Sequence, residues 1–239
     1  MVESRPTTWS LEDGAPFAVL WDLDGVLVDT SRYHFEAWRR LMAEAGRGLS
    51  EEQFRASFGR RNSEILPRWL PGASESEVER LSERKEAIFR ELLPERVPLL
   101  PGVERLVTEL AAAGIPQAIA SSTPRRNLEV ILPRLRLPLT EYVAAEDVAE
   151  GKPDPEVFLK AAEKLAVPPE RCVVVEDAVA GVEAARRAGM ACLAVATTWP
   201  RERLSGADLV VDSLERVSVE QLRSLVEDRR KAGGRDQGR

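Results

Sequence analysis

The sequence predicts an α/β protein: a doubly wound (Rossmann-like) parallel sheet core with an inserted all-helical cap domain. Three observations lead there. Short apolar runs without polar alternation recur at Phe17–Trp21, Pro116–Ala120, Cys172–Val175 and Ala191–Ala196, the pattern of strands buried on both faces. Helical periodicity fills the intervals between them, and strand–helix alternation implies right-handed crossovers and a sheet covered on both sides. Residues 31–96 break the alternation with helix after helix and no strand-like run.

Each element has its own justification. Residues 1–15 read as a flexible leader, carrying Glu, Asp and Pro where a signal peptide would have an apolar core. Phe17–Trp21 is the first strand and stops at Asp22-Leu23-Asp24-Gly25. Ser31–Ala45 repeats Phe35, Trp38, Leu41 and Met42 at three and four residues, with Asp29, Thr30 and Ser31 supplying N-cap chemistry and Gly46 and Gly48 a stop. Ser50–Phe58 opens with Ser50 three residues before Gln53, a capping pattern. Ser63–Leu70 ends at Pro71-Gly72, and Ser74–Leu93 is a longer, heavily charged helix. The alternation resumes after the proline-rich stretch Pro94–Pro101, with a helix to Ala113, the strand Pro116–Ala120, a helix Arg125–Leu135 and a weaker strand Leu139–Ala144. A helix Pro155–Leu165, the strand Cys172–Val175, a helix Gly181–Ala188, strands Ala191–Ala196 and Leu209–Val211 and a helix Val219–Lys231 complete the series. The expected division is a core of 16–30 and 97–228, a cap of 31–96 and a disordered tail of 229–239.

Composition narrows the function classes. With 239 residues, 44% hydrophobic, 31% charged and a net charge of −6, the chain reads as globular and has no electrostatic footprint for nucleic acid. No apolar run approaches the roughly 20 residues of a membrane span. The expectations are a cytoplasmic monomer with neither nucleic acid nor membrane as partner. Cys172 and Cys192 abut apolar runs without CxxC spacing and read as buried free thiols. A single histidine excludes HExxH zinc chemistry.

The chemistry lies at the strand ends. Asp22 and Asp24 project to one side of an extended chain, at the carboxyl edge where open α/β sheets place ligands. An ionised carboxylate is a weak nucleophile, useful against a charge-neutralised electrophile such as a phosphoryl group held by Mg²⁺. A second carboxyl can protonate the leaving oxygen and then deprotonate a water. The second strand ends at Ser121 and the third at Glu176-Asp177, while Gly151-Lys152-Pro153-Asp154-Pro155 sets a lysine in a proline-bounded turn. Singly, these have ordinary readings as a turn serine, a solvated lysine and a helix cap. Four loops presenting complementary groups at one sheet edge make a phosphoryl-transfer site.

Motif by motif, from Phe17 to about Leu214, this order resembles the haloacid dehalogenase superfamily, most nearly its beta-phosphoglucomutase-like phosphatase subgroup. DLDGVLVDT resembles the first motif, ASS at Ala120–Ser122 the second, GKPDPEVF at Gly151–Phe158 the third and VVVEDAVAGVEAA at Val173–Ala185 the fourth. The resemblance implies Asp22 as nucleophile, Asp24 as general acid/base with its carbonyl on the metal, Ser121, Ser122 and Lys152 as phosphate-binding groups, and Mg²⁺ held by Asp22, Asp24, Asp177 and Glu176. It also implies a cap inserted after the first motif, where the helical block lies.

In the cap, Thr30, His34, Arg61 and Lys85 are candidate substrate residues, each with an alternative as a packed or solvated side chain; Arg60 beside Arg61 is weighed with it. Three functions stand. Hydrolysis of a sugar phosphate or similar ester is favoured, because SSTPRRN departs from the Ser-Lys-Asn flavour of the mutases. A beta-phosphoglucomutase-type phosphomutase is the alternative, and a non-catalytic phosphometabolite-binding protein the third, against which the retention of Asp22, Asp24, Lys152 and Asp177 counts.

Overall fold

The computed structural model describes residues 17–57 and 61–236. The expected leader, Phe58, Arg60 and residues 237–239 lie outside the described residues. Six strands, β1 (Ala18–Trp21), β2 (Gln117–Ala120), β3 (Glu141–Val143), β4 (Cys172–Glu176), β5 (Ala191–Val195) and β6 (Leu209–Val211), form one sheet in the order β3-β2-β1-β4-β5-β6. Every pairing is parallel, so the doubly wound expectation holds. The apolar runs were legible because β1, β2, β4 and β5 are buried along their whole lengths. The helices α5 (Val103–Ala112), α6 (Arg125–Leu135), α7 (Glu156–Lys164), α8 (Val179–Arg187) and α9 (Val219–Asp236) alternate with these strands. A core of small and branched residues, among them Ala18, Leu20, Val174, Phe158, Ala161 and Ala185, lies beneath one face.

Strand order places the site. In this arrangement the connections run in opposite directions from β1 and β4, and ligands bind in the crevice beyond the carboxyl ends of such a pair. The register sets Trp21 opposite Val175 on one side and Ile119 on the other. The Asp22 N–H extends the ladder by donating to the Val175 carbonyl at 3.0 Å. The residues after Trp21, Ala120 and Val175 therefore emerge side by side.

The described residues cluster into two compact units, one within 17–28, 99–125 and 137–236, the other within 29–98 and 126–136. The second holds α1 (Ser31–Glu44), α2 (Glu51–Ser57), α3 (Asn62–Trp69) and α4 (Glu75–Leu92). The starts of α2 and α4 follow the expected capping chemistry, whereas Thr30 stands at the N-cap of α1 without a side-chain cap bond. Ser50 and Gln53 exchange side-chain-to-backbone hydrogen bonds at 3.2 and 3.0 Å, and Ser74 and Glu77 form a capping box. Trp38 meets Trp69 edge-on at 5.1 Å. Residues 126–136, expected with the sheet, cluster with these helices because Asn127 accepts from Arg90 and donates to Glu86, while Arg134 donates to the Leu93 carbonyl.

At the other end, α9 runs to Asp236, past the boundary at 228 expected from the sequence. The glycine pair Gly233-Gly234 reads as a stop signal, yet the helix is already anchored upstream by Arg229 on Asp208 at 2.9 Å. Both cysteines are buried and free, as expected. Among the described residues, no helix is long and apolar enough to cross a membrane.

Candidate active site

Asp22, Lys152, Glu176 and Asp177 converge at the carboxyl ends of β1 and β4. Lys152 Nζ donates to Asp22 Oδ1 at 2.5 Å and to Glu176 Oε1 at 2.7 Å. Its side chain is 8% exposed, those of Asp22 and Glu176 12% and 1%. Glu176 is held through both oxygens, because Oε2 also accepts from the N–H groups of Asp177 and Ala178 at 2.7 Å. Gly181 permits this: a Cβ there would collide with the Glu176 carboxylate. Gly25 does the same for Asp177, since any side chain at that residue would meet the Asp177 carboxylate, and its φ of +86° suits glycine.

Charge is out of balance. Three carboxylates share one buried ammonium. Burial, opposed by Lys152 and reinforced by Glu176 and Asp24, pushes the Asp22 carboxyl up to about 7. Burial, with repulsion from Glu176 and Asp22, lifts Asp177 to about 9, against a hydrogen bond from Thr198 and the pull of Lys152. Burial alone would lower the Lys152 ammonium, but Asp22 and Glu176 outweigh it and raise its pKa. Such a cluster is completed by a cation. Asp22, Glu176 and Asp177 each offer an oxygen, all within 4.8 Å of one another, and an all-carboxylate donor set suits a hard ion. The residues therefore fit a hard divalent ion such as Mg²⁺.

Asp24 is half-buried and tied to the second strand's loop. Thr123 Oγ1 donates to Asp24 Oδ2 at 2.9 Å, Ser121 Oγ donates to Thr123 Oγ1 at 3.0 Å, and the Thr123 N–H donates to Ser121 Oγ at 3.1 Å. Ser121 is buried and Ser122 exposed. Thr123, Thr198 and Thr197, which donates to the Gly25 carbonyl at 2.5 Å, were not singled out from the sequence. Their signal was available: hydroxyl-bearing residues in the loops directly after β2 and β5.

A family profile described as haloacid dehalogenase-like hydrolase matches residues 18–189. The chain belongs to that family. It is 36% identical over 224 residues to the beta-phosphoglucomutase of Bacillus subtilis, covering 86% of this chain and 93% of that one. It is 39% identical over 183 residues to the phosphorylated carbohydrates phosphatase of Thermotoga maritima, covering 72% and 82% respectively. The crystal structure of beta-phosphoglucomutase from Clostridium difficile matches with a TM-score of 0.77 at 30% identity, covering 89% of this chain and 98% of that one. This haloacid dehalogenase-like enzyme thus falls in the beta-phosphoglucomutase-like subgroup.

The cap candidates all lie in the helical unit. Thr30 is buried at the start of α1. His34 stacks on Phe89 with centroids 4.0 Å apart, and its Nδ1 lies 2.7 Å from Lys85 Nζ. Lys85, expected on a solvated face or in a substrate role, is 2% exposed and pairs with Glu86 at 2.8 Å. Arg61 is exposed and precedes α3.

Proposed function

We propose that this protein is a Mg²⁺-dependent phosphatase that hydrolyses a small phosphorylated metabolite, a sugar phosphate or similar ester, through an aspartyl-phosphate on Asp22. The observation that carries it is Lys152 bridging Asp22 and Glu176 within a buried acidic cluster at the β1–β4 edge.

In this reading Asp22 attacks phosphorus while the ester P–O bond breaks. Asp24 gives a proton to the leaving oxygen, then takes one from the water that cleaves the acyl phosphate. Lys152 holds Asp22 in place and supplies positive charge to the phosphoryl oxygens, Ser122 offers hydroxyl and backbone donors to them and Ser121 its hydroxyl once that turns from Thr123, and Glu176 fixes Lys152. Mg²⁺ at Asp22 and Asp177, with the Asp24 carbonyl and Glu176 contributing, would neutralise the transferring group and suppress the carboxylate repulsion. The roles of Thr30, His34, Arg61 and Lys85 in substrate choice belong to the same proposal and are read from the substrate profile of each alanine variant.

A phosphomutase is the second reading, favoured by the similarity to the Bacillus subtilis enzyme over nearly its full length. Hydrolysis is preferred because Pro124-Arg125 follow Thr123, and Arg125 is occupied within the sheet unit, its N–H donating to Glu146 at 2.9 Å and its guanidinium pairing with Asp147. The deciding experiment measures phosphate release from a panel of sugar and small organic phosphates with Mg²⁺, in wild type and Asp22→Asn, with isomerisation of β-glucose 1-phosphate followed separately. Hydrolysis abolished in Asp22→Asn supports the phosphatase; isomerisation far exceeding release replaces it with the mutase; tight binding without turnover of any ester rejects both.

A further inference from the structure

We infer that Thr123 is a positioning residue for proton transfer: its hydroxyl orients the Asp24 carboxyl toward the leaving oxygen. This rests on the phosphatase reading above and deepens it. The arrangement is directional. Thr123 Oγ1 has one proton, and at 2.9 Å from Asp24 Oδ2 that proton is committed to the carboxyl. Its lone pair receives Ser121 Oγ at 3.0 Å, and Ser121 Oγ in turn accepts from the Thr123 N–H at 3.1 Å. The loop after β2 thus closes on itself and delivers a single donor to a residue 99 positions earlier in the chain.

Burial strengthens the case. Ser121 is 2% and Thr123 8% exposed, so water competes poorly for these bonds and the carboxyl is held in one rotamer. Asp24 follows a sharp turn: the Gly25 N–H donates to the Val28 carbonyl at 2.8 Å, and the Leu27 and Val28 N–H groups return to the Leu23 carbonyl. That turn fixes the backbone, and the bond from the Thr123 hydroxyl holds the Asp24 carboxyl itself. A carboxyl that donates a proton in one half-reaction and accepts one in the next gains most from such a constraint, because proton transfer depends steeply on alignment. A donor on Oδ2 also directs the transferable proton to Oδ1, since Oδ2 is already receiving one.

The leaving group separates this role from a structural one. An alkoxide leaving from a sugar phosphate needs the proton from Asp24, whereas p-nitrophenolate leaves without it. Three proteins, wild type, Thr123→Val and Thr123→Ser, are assayed with Mg²⁺ on p-nitrophenyl phosphate and on whichever of glucose 6-phosphate, fructose 1-phosphate, ribose 5-phosphate or glycerol 3-phosphate the wild type turns over fastest. Thr123→Val is expected to slow leaving-group release in the first turnover, which precedes the water step, by about tenfold to a hundredfold for the alkyl ester and by less than about threefold for p-nitrophenyl phosphate. Thr123→Ser restores the alkyl-ester rate. Equal first-turnover losses on both esters, a loss confined to the substrate concentration needed for half-saturation, or no loss at all overturns the inference while leaving the phosphatase standing. If the wild type hydrolyses none of the esters, the functional reading fails and takes this inference with it.

Discussion

Glu86→Gln is the most informative change in the helical unit. Glu86 is 7% exposed. Its Oε1 receives Lys85 at 2.8 Å and Asn62 at 2.7 Å, and its Oε2 receives Asn127 at 2.6 Å. Burial works to raise its pKa, but the Lys85 ammonium, His34 and the hydrogen bonds from Lys85 and Asn62 together bring the carboxyl from 4.5 down to about 2. At 1.36 kcal/mol per pKa unit, that corresponds to roughly 3 kcal/mol of stability near neutral pH. A second route agrees, since removing one member of a buried ion pair costs about 3–5 kcal/mol. Glutamine matches the shape, but its amide nitrogen must face a donor, either an asparagine amide or the Lys85 ammonium.

The expected loss of roughly 3 kcal/mol lowers Tm by about 6–12 °C for a chain of this size. The pH dependence follows from the direction of the shift. A carboxyl whose pKa is depressed by folding stabilises fully above its unfolded value, here about 4.5, and loses that contribution as pH falls through its folded value of about 2. Urea midpoints of wild type and variant, taken from pH 7 down to pH 3, should therefore differ by a constant amount above about pH 5 and converge below it. A difference under about 1 kcal/mol at pH 7, or one that stays constant across the acid range, would refute the reasoning.

Three further outcomes follow from the catalytic cluster. Gly181→Ala should destabilise by about 1–3 kcal/mol despite alanine's better helix propensity, because the new methyl displaces Glu176; thermal unfolding and the rate of phosphate release read both consequences. Mg²⁺ at about a hundred times its Kd should add about 2.7 kcal/mol, raising Tm by several degrees in wild type and much less in Asp177→Asn, with EDTA reversing the shift. Asp22→Asn should retain the wild-type circular dichroism spectrum while losing phosphate release, and a variant still active at wild-type rates would remove Asp22 as nucleophile.

The parts read best from sequence were those that burial dictates. β1, β2, β4 and β5 announce themselves because strands covered on both faces tolerate no polar alternation, and their ends fall within a residue or two of expectation. The reactive groups were legible for a related reason: Asp22, Ser121 and Glu176-Asp177 stand where apolar runs stop. What sequence concealed was side-chain reach. Nothing local in Asn127 says that its amide meets Glu86, so α6 was assigned with the sheet. Nothing local in Thr123 says that its hydroxyl reaches Asp24. Lys85 sat in a charged stretch that reads as a solvated face, whereas its ammonium is enclosed beside Glu86, His34 and Trp38. Gly25 closes the first strand's acidic turn and Gly181 opens a helix in the sequence reading, while both also leave room for the Asp177 and Glu176 carboxylates.

The central place of β1 has a consequence for biosynthesis. Its ladder neighbours are β2 and β4, and about 150 residues separate Trp21 from Cys172. At 5–20 residues per second, translation leaves this apolar strand without its second neighbour for roughly 10–30 s. Throughout that interval Asp22 and Asp24 have met neither Lys152 nor Asp177, so the carboxylate cluster of the candidate site can close only after Asp177 has been made.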